Sequence, residues 1–420
     1  MNQQDTHTAP DLPESDNHSD CISRLPDSIL IEILSRLPTK IIFQSKCVSK
    51  RWRSLISDPG LGQFHTSKIS SPPETTLFLR SVVNPKFRFF NFSSNFVSIQ
   101  VEKSGDGSLF STLIVNGLHP RPVEIVGSCD GLLLCSDARD LVYYLFNPIT
   151  KDITAIPPSP FPCHSVGCGL ICKVEGGILK LYCLVLIQRA IDSLETLNFQ
   201  IYSSGSNGWR VVRSSCPGQL GRVFSEYSIS PAIPYKGMLH WVHLAQGVMI
   251  VYDPLGNPDQ CRFIDLPGEK PRYDMFNRVC NVCEGRIRYF EVENLSIQRH
   301  TFPGIRVWVL SDHEKGEWVL EHHVARSAFF TDDGCLKREM PLMPRMSLMP
   351  LAFSPLNKDI VYFWCAFCIV SYNVRSKRLV IEVENYAGKL LCYKDVFPFV
   401  FPHWPMSIPE ILTKNCDSDV

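Results

Sequence analysis

Two CxxC pairs, Cys280 with Cys283 and Cys365 with Cys368, are the groupings in this 420-residue sequence whose spacing could hold a metal. A structural zinc needs four ligands, so both pairs would have to converge. Cys365 and Cys368 lie in the apolar run Ile360 to Val370, and strand residues three apart face opposite ways. These cysteines read as structural, and no metal or cofactor is expected. His322 and His323 follow a tryptophan-bearing segment and read as a surface pair, not a ligand pair. No GxSxG, HExxH, Walker glycine loop or dinucleotide fingerprint occurs, and no pairing of carboxylates can be read. No catalytic residue is therefore assigned, and the chain is not expected to be an enzyme. Met340, Met343, Met346 and Met349 recur every third residue among Pro341, Pro344 and Pro350. That period suits a polyproline-type segment with one thioether face, although a loop packed on a larger body is the plainer reading.

Composition narrows the partners. Forty-two basic residues balance forty-two acidic ones, so no net field holds nucleic acid or an anionic membrane. The first twenty residues carry five acids, no Lys or Arg and almost nothing apolar, which reads as a disordered tail and not a signal peptide. The longest uncharged apolar stretch, Ile360 to Val374, is fifteen residues and rich in β-branched and aromatic types. A membrane helix needs about twenty, so a buried strand is expected. Seventeen cysteines at irregular spacing suit reduced, buried thiols in the cytoplasm or nucleus.

Between Cys21 and Lys68 the period is helical. Pro26 is placed for a helix start, and Ile29, Leu30, Ile33, Leu34 and Leu37 form a wide apolar stripe. Pro38 stops this helix and Thr39 is placed to cap a second, from about Lys40 to Val48. Ser49 is placed to cap a third, carrying Trp52, Leu55 and Ile56 and ending near Asp58, Pro59 and Gly60. Three helices in so short a length enclose little, yet the apolar residues outnumber what one small core can hold. The excess must be buried on the rest of the chain or on a partner. Lys46, Lys50, Arg51 and Arg53 cluster here and could neutralise a few phosphates, but their apolar neighbours indicate a packed helix with a solvated edge.

From about Thr75 onward short apolar runs alternate with Gly, Pro, Asn and Asp clusters, as in an all-β domain. Two segment types recur. One is a turn glycine leading an apolar strand, at Gly131, Gly177, Gly237 and Gly285, spaced by 46, 60 and 48 residues. Ile360 to Trp364 is a fifth such strand. The other is an aromatic strand, a polar turn and a further strand, starting at Leu145, Ile201, Val251, Val307 and Ser371. Units of three or four strands every fifty or so residues suggest propeller blades. Five units are visible, and Thr76 to Val115 with Lys389 to Val400 could add one or two, the chain ends meeting to close the circle. The expected fold is thus a small all-α head followed by a large all-β domain, a six- or seven-bladed β-propeller. The expected divisions are a tail at 1–20, the head at 21–68, the β-domain at 75–405 and a tail at 406–420.

The run from Leu25 to Pro59 resembles an F-box over nearly its whole length. The matching pieces are Leu25-Pro26-Asp27, Ile33 through Pro38, Cys47 through Lys50, and Trp52 through Ile56. Gln44 and Ser45 depart from the pattern. The β-region is similar to the F-box-associated, kelch-like region of the large plant F-box families, through Gly127 to Gly131, Phe146 to Pro148, Gly237 to Trp241 and Ile305 to Trp318, while the stretch near Gly167 matches poorly. The resemblance implies a substrate-recognition subunit of an SCF-type ubiquitin ligase. Its head would bind a Skp-family adaptor and, through it, cullin and RING subunits; its β-domain would bind a target protein that the sequence does not identify. Carried over by position, the adaptor-binding set is Leu25, Pro26, Ile29, Leu30, Ile33, Leu34, Pro38, Cys47, Val48, Trp52 and Leu55. Some of these must instead form the head's own core. A scaffold or inhibitor without ubiquitylation, or a glycan-binding or enzymatic propeller, is the alternative function.

Overall fold

The computed structural model describes residues 22, 24–69, 73, 75–79, 96–100, 110–113, 124–137, 142–150, 152–161, 167–175, 178–189, 196–215, 229–244, 246–268, 277–292, 304–325, 349–365, 368–383 and 396–409. The expected tail at 1–20 and the methionine-proline segment before Met349 lie outside them. The chain divides into two compact units, Met1–Ser70 and Ser71–Val420.

In the first unit α1 spans Asp27–Leu34, with Pro26 at the N-cap position, where its missing N–H costs nothing. α2 spans Thr39–Gln44 and runs into a 3₁₀ turn, Ser45–Cys47. Thr39 is the first helical residue and makes no side-chain cap; Pro38 holds the cap position, its fixed φ of −58° suiting a helix entry. α3, Lys50–Ser57, is capped as expected by Ser49, whose Oγ accepts from the Trp52 amide at 3.1 Å. A fourth helix, α4, spans Pro59–Lys68. The Asp58-Pro59-Gly60 run ends α3 as expected, with Asp58 at its C-cap, and also starts α4, because the Asp58 carboxylate accepts from the Gly60 amide at 2.7 Å and Pro59 takes the first turn. The enclosed residues include Leu30, Leu34, Ile42, Ile56, Leu61 and His65. The His65 ring reaches the Leu37 carbonyl at 3.0 Å.

The second unit is built of antiparallel meanders. β1 (Thr75–Leu79), β2 (Phe96–Gln100) and β3 (Phe110–Leu113) are followed by β4 (Glu124–Cys129), β5 (Leu132–Asp137), β6 (Val142–Phe146) and β7 (Ile153–Ile156). Next come β8 (Gly167–Glu175), β9 (Ile178–Arg189), β10 (Thr196–Ser203) and β11 (Gly208–Ser215). β12 (Ile233–Tyr235), β13 (Met238–His243), β14 (Val248–Asp253) and β15 (Asn257–Asp265) make the next meander. Then follow β16 (Arg278–Cys283), β17 (Arg286–Val292), β18 (Gly304–Asp312) and β19 (Glu317–Ala325). β20 (Met349–Ser354), β21 (Asn357–Cys365), β22 (Cys368–Asn373) and β23 (Arg378–Val383) complete the series before β24 (Val396–Val400).

β24 pairs antiparallel with β1, so the two ends of the domain share one sheet and close the ring as the sequence suggests. The expectation of six or seven blades is corrected. The strands form five sheets, hence a propeller of five blades counted by sheet, four of them four-stranded and one a double blade of eight. Sequence recurrence counts meanders, whereas edge pairing decides sheets. The meanders β8–β11 and β12–β15 fuse where Ser215 pairs in parallel with Gln260. Ser214 Oγ on the Pro258 carbonyl at 2.7 Å and Arg210 on the Pro254 carbonyl at 2.9 Å tie the seam further.

The core lies between neighbouring sheets, in five apolar clusters. Packing on both faces explains the unbroken apolar runs: Leu132 to Ser136 are all buried, whereas β19, an outermost strand, is mostly exposed. The turn glycines follow from register. Asp130-Gly131, Lys236-Gly237 and Glu284-Gly285 have positive φ at both positions, as tight hairpin turns matching strand twist require. The polar turns of the second segment type are side-chain-locked. Asn147, Asp253, Asp312 and Asn373 each accept from two amides two and three residues on, at 2.7–3.2 Å. The run Ile360 to Val374 is not one strand: β21 ends at Cys365 and β22 begins at Cys368, the two paired antiparallel with Cys365 opposite Cys368. Packing also continues past the expected boundary at 405, with Met406 buried and Ile408 against it.

The stretch near Gly167 that matched its family poorly forms β8, and here glycine is needed for approach. A Cβ on Gly169 would lie 2.7 Å from Ala232 Cβ and 3.1 Å from both Leu239 methyls. Gly169→Ala is expected to lower stability by roughly 1–3 kcal/mol, read as an earlier denaturant midpoint at unchanged slope.

Candidate functional site: an apolar face on the helical unit

The structure sorts the residues proposed for adaptor binding by depth. On α1 a stripe of Leu30 and Leu34, four apart, points inward and is wholly buried. Those two are removed from the contact set, since a side chain with no exposed surface serves the unit's own core. Pro26, Ile29 and Ile33 form a second stripe at three- and four-residue spacing; all three are exposed, the isoleucines by 46% and 42%. Pro38, Cys47 and Val48 are exposed as well, Val48 by 62%. Leu25, Trp52 and Leu55 are half-buried, and Ile41, absent from the expected set, is exposed.

The surplus is local. Among the described residues the exposed large hydrophobics of this unit are Ile22, Ile29, Ile33, Ile41, Val48 and Phe64; the far longer β-unit shows seven, scattered over its sheets. Single exposed apolar residues are ordinary, whereas six within this short unit are a concentration that the described residues of the second unit do not show.

Polar contacts hold the face in shape. Arg51 reaches from α3 to the Leu25 carbonyl at 2.5 Å and to the Asp27 carboxylate at 2.6 Å, pinning the entry of α1. Glu32 on α1 is paired with Lys68 at 2.5 Å and Arg36 at 2.7 Å. Their hydrogen bonds, Lys68 first, hold the Glu32 carboxyl below its ordinary range. Two of the four clustered basic residues are engaged within the unit: Arg51 is paired with Asp27, and Lys46 lies over the Phe43 ring at 4.6 Å.

The β-unit's candidate groups fall partly as the sequence suggests, with His323 exposed. Cys280 and Cys283 are both buried on β16, and burial pushes the Cys283 thiol up to about 12. His322 is not a surface residue; it is half-buried and lies 3.7 Å from Asp359. Beside it Glu321 bridges Arg288 at 2.8 Å and Lys358 at 3.1 Å. Burial alone would raise the Glu321 carboxyl, but the bonds from Arg288 and Lys358 outweigh it and bring it to about 2. These groups join neighbouring sheets. Cys261 is disulfide-bonded, whereas nine other described cysteines are free, in keeping with mostly reduced thiols and no disulfide framework.

Two features had no sequence signal. Cys129, Asp130 and Cys172 place their ligand atoms within 4.8 Å of one another, although the cysteines are 43 positions apart. His240 and His313, 73 positions apart, bring their Nε2 atoms to 2.8 Å in a buried pair. Arg262 contacts the His313 ring at 2.8 Å, Glu314 lies 3.3 Å from it, and the Tyr235 ring packs on both imidazoles. Burial, reinforced by His313, pushes His240 down to about 3, and His313 is lowered by burial as well. A lowered folded value means the unfolded chain binds more protons between pH 6.5 and 3, so this stability is present above pH 6.5 and lost as pH falls. His240 alone should cost about 2 kcal/mol at pH 5. His240→Asn is expected to flatten the fall in melting temperature between pH 6.5 and 5; an equal slope would contradict it.

No helix among the described residues is long and apolar enough to cross a membrane. The F-box domain family matches residues 22–64, the segment that carries the apolar face. The family described as F-box protein At3g26010-like, beta-propeller, matches residues 104–409. F-box protein At1g49990 of Arabidopsis thaliana is 25% identical over 390 residues, covering 85% of this chain and 87% of that one. F-box protein At3g26010 of the same plant is 24% identical over 438 residues, covering 92% and 90%. Among solved structures, a chain of a nidogen/laminin complex aligns at a TM-score of 0.40 and 8% identity, over 79% of this chain and 99% of its own, a likeness too distant to carry an argument. With a head matching one family and most of the remaining chain matching the other, this protein belongs to the plant F-box proteins that carry a kelch-like, At3g26010-type β-propeller.

Proposed function

We propose that this chain is the substrate-recognition subunit of an SCF-type ubiquitin ligase and does no chemistry of its own. The helical unit docks on a Skp-family adaptor, which bridges to cullin and RING subunits, while the propeller holds a target protein. Transfer is then accelerated by effective concentration and positioning. The observation that carries this reading is the density of exposed apolar side chains on the helical unit, within the segment matched by the F-box family. Pro26, Ile29, Ile33, Pro38, Cys47 and Val48 form the docking face, flanked by Leu25, Trp52 and Leu55. The cytoplasm or nucleus is where such a complex would assemble.

The test is reconstitution of the full chain with purified adaptor, cullin and RING subunits and a ubiquitin-charged enzyme. Proteins co-purifying from plant extract with wild type and with a docking-face variant would be compared. Ubiquitylated proteins recovered with wild type alone support the reading. A complex that assembles yet transfers no ubiquitin to any captured protein would favour a scaffold or inhibitor.

A further inference from the structure

The cluster at the seam between β4 and β8 belongs to none of the groups that the proposed function uses. Cys129 closes β4 and Cys172 lies on β8, the neighbouring strand of a separate sheet. The Cys172 thiol points to the Cys129 carbonyl at 4.0 Å, and the Cys129 thiol to Asp130 Oδ2 at 3.4 Å. The three ligand atoms lie within 4.8 Å of one another, and no other such group of three or more His, Cys, Asp or Glu occurs among the described residues. We propose that Cys129, Cys172 and Asp130 bind one zinc ion, with water as a fourth ligand, joining the two sheets.

Three observations support the assignment. Donor chemistry comes first: two sulfurs and one carboxylate suit a borderline-soft divalent cation and do not suit calcium or magnesium. Tetrahedral zinc with sulfur at about 2.3 Å spaces its ligands by about 3.8 Å, so each donor needs to move by about an ångström or less. The second is orientation. Asp130 sits at φ 46° in a tight turn whose next residue, Gly131, is pressed against Pro402, where an added Cβ would meet a ring carbon at 2.5 Å. The turn thus fixes the backbone of Asp130, whose Oδ2 already meets the Cys129 thiol at 3.4 Å. Access is the third. Both thiols are buried while Asp130 is exposed, so the site opens to solvent on the carboxylate side, where an ion enters and a water completes the shell. Binding replaces two thiol protons, which leave to solvent, and the carboxylate coordinates as it stands.

Purified full-length chain, kept reduced, would be dialysed against zinc, desalted and assayed for bound metal. One zinc per chain is expected in wild type and in Cys135→Ser, a buried thiol outside the cluster, and none in Cys129→Ser or Cys172→Ser. Asp130→Asn, at an exposed position, should lower retention without disturbing the fold. Wild type should also gain thermal stability on adding zinc, which needs no variant to fold. Cadmium should produce thiolate charge-transfer absorption in the ultraviolet. Wild type that neither melts later with zinc nor absorbs with cadmium overturns the proposal, as does undiminished zinc in Cys172→Ser.

Discussion

Replacing Ile29 and Ile33 together by aspartate should abolish capture of the Skp-family adaptor while the full chain still folds. The two side chains are 46% and 42% exposed and neither belongs to the enclosed core, so the change should cost the fold about 1 kcal/mol, far less than it costs binding. In a complex the same positions would place two carboxylates in a desolvated apolar patch. Losing two such anchors costs roughly 2 kcal/mol each or more, at least a thousand-fold in affinity together. Leu30→Ala provides the contrast. Leu30 is fully enclosed, so truncation should cost about 2–5 kcal/mol of stability in the helical unit and weaken capture only through unfolding. A pull-down beside thermal melts separates the two cases: the aspartate pair loses binding with the fold intact, and Leu30→Ala loses both together.

Trp241→Ala carries the largest expected cost to the propeller. Trp241 on β13 is wholly buried, its Nε1 donating to the Cys168 carbonyl on β8 at 3.1 Å. It lies among Phe199, Ile187, Leu239 and Tyr252, where Phe199 and Tyr252 stack at 3.6 Å between centroids. Truncation removes the largest side chain of this cluster and leaves the Cys168 carbonyl without that donor. About 3–5 kcal/mol of lost stability is expected, much of what a domain possesses. Denaturant unfolding should show an earlier midpoint. Target binding should fail with it, although the helical unit still captures the adaptor.

The sequence carried the architecture wherever local chemistry decides it. Turn glycines at 131, 237 and 285 mark second strands of meanders, because only a tight turn with positive φ joins those registers. Asn147, Asp253, Asp312 and Asn373 mark the third-to-fourth-strand turns, because their side chains build the turn. What failed to show are properties of chain placement. Ile29 and Leu30 are adjacent and chemically alike, and only the path of the neighbouring helices sends one outward and the other inward. The double blade rests on a single parallel pairing between residues 45 positions apart, Ser215 and Gln260. The cysteine-aspartate cluster and the paired histidines assemble across sheets, so no window of sequence contains them. The continuous apolar run from Ile360 hid the boundary between β21 and β22 because neither glycine nor proline occurs anywhere within it.

The most direct measurement is amide hydrogen exchange on the full wild-type chain, alone and with a molar excess of the Skp-family adaptor. The account predicts a stable complex in which α1, α2 and the segment through α3 gain protection while the propeller exchanges as before. Absence of a complex, or protection confined to residues 75–409, would contradict it.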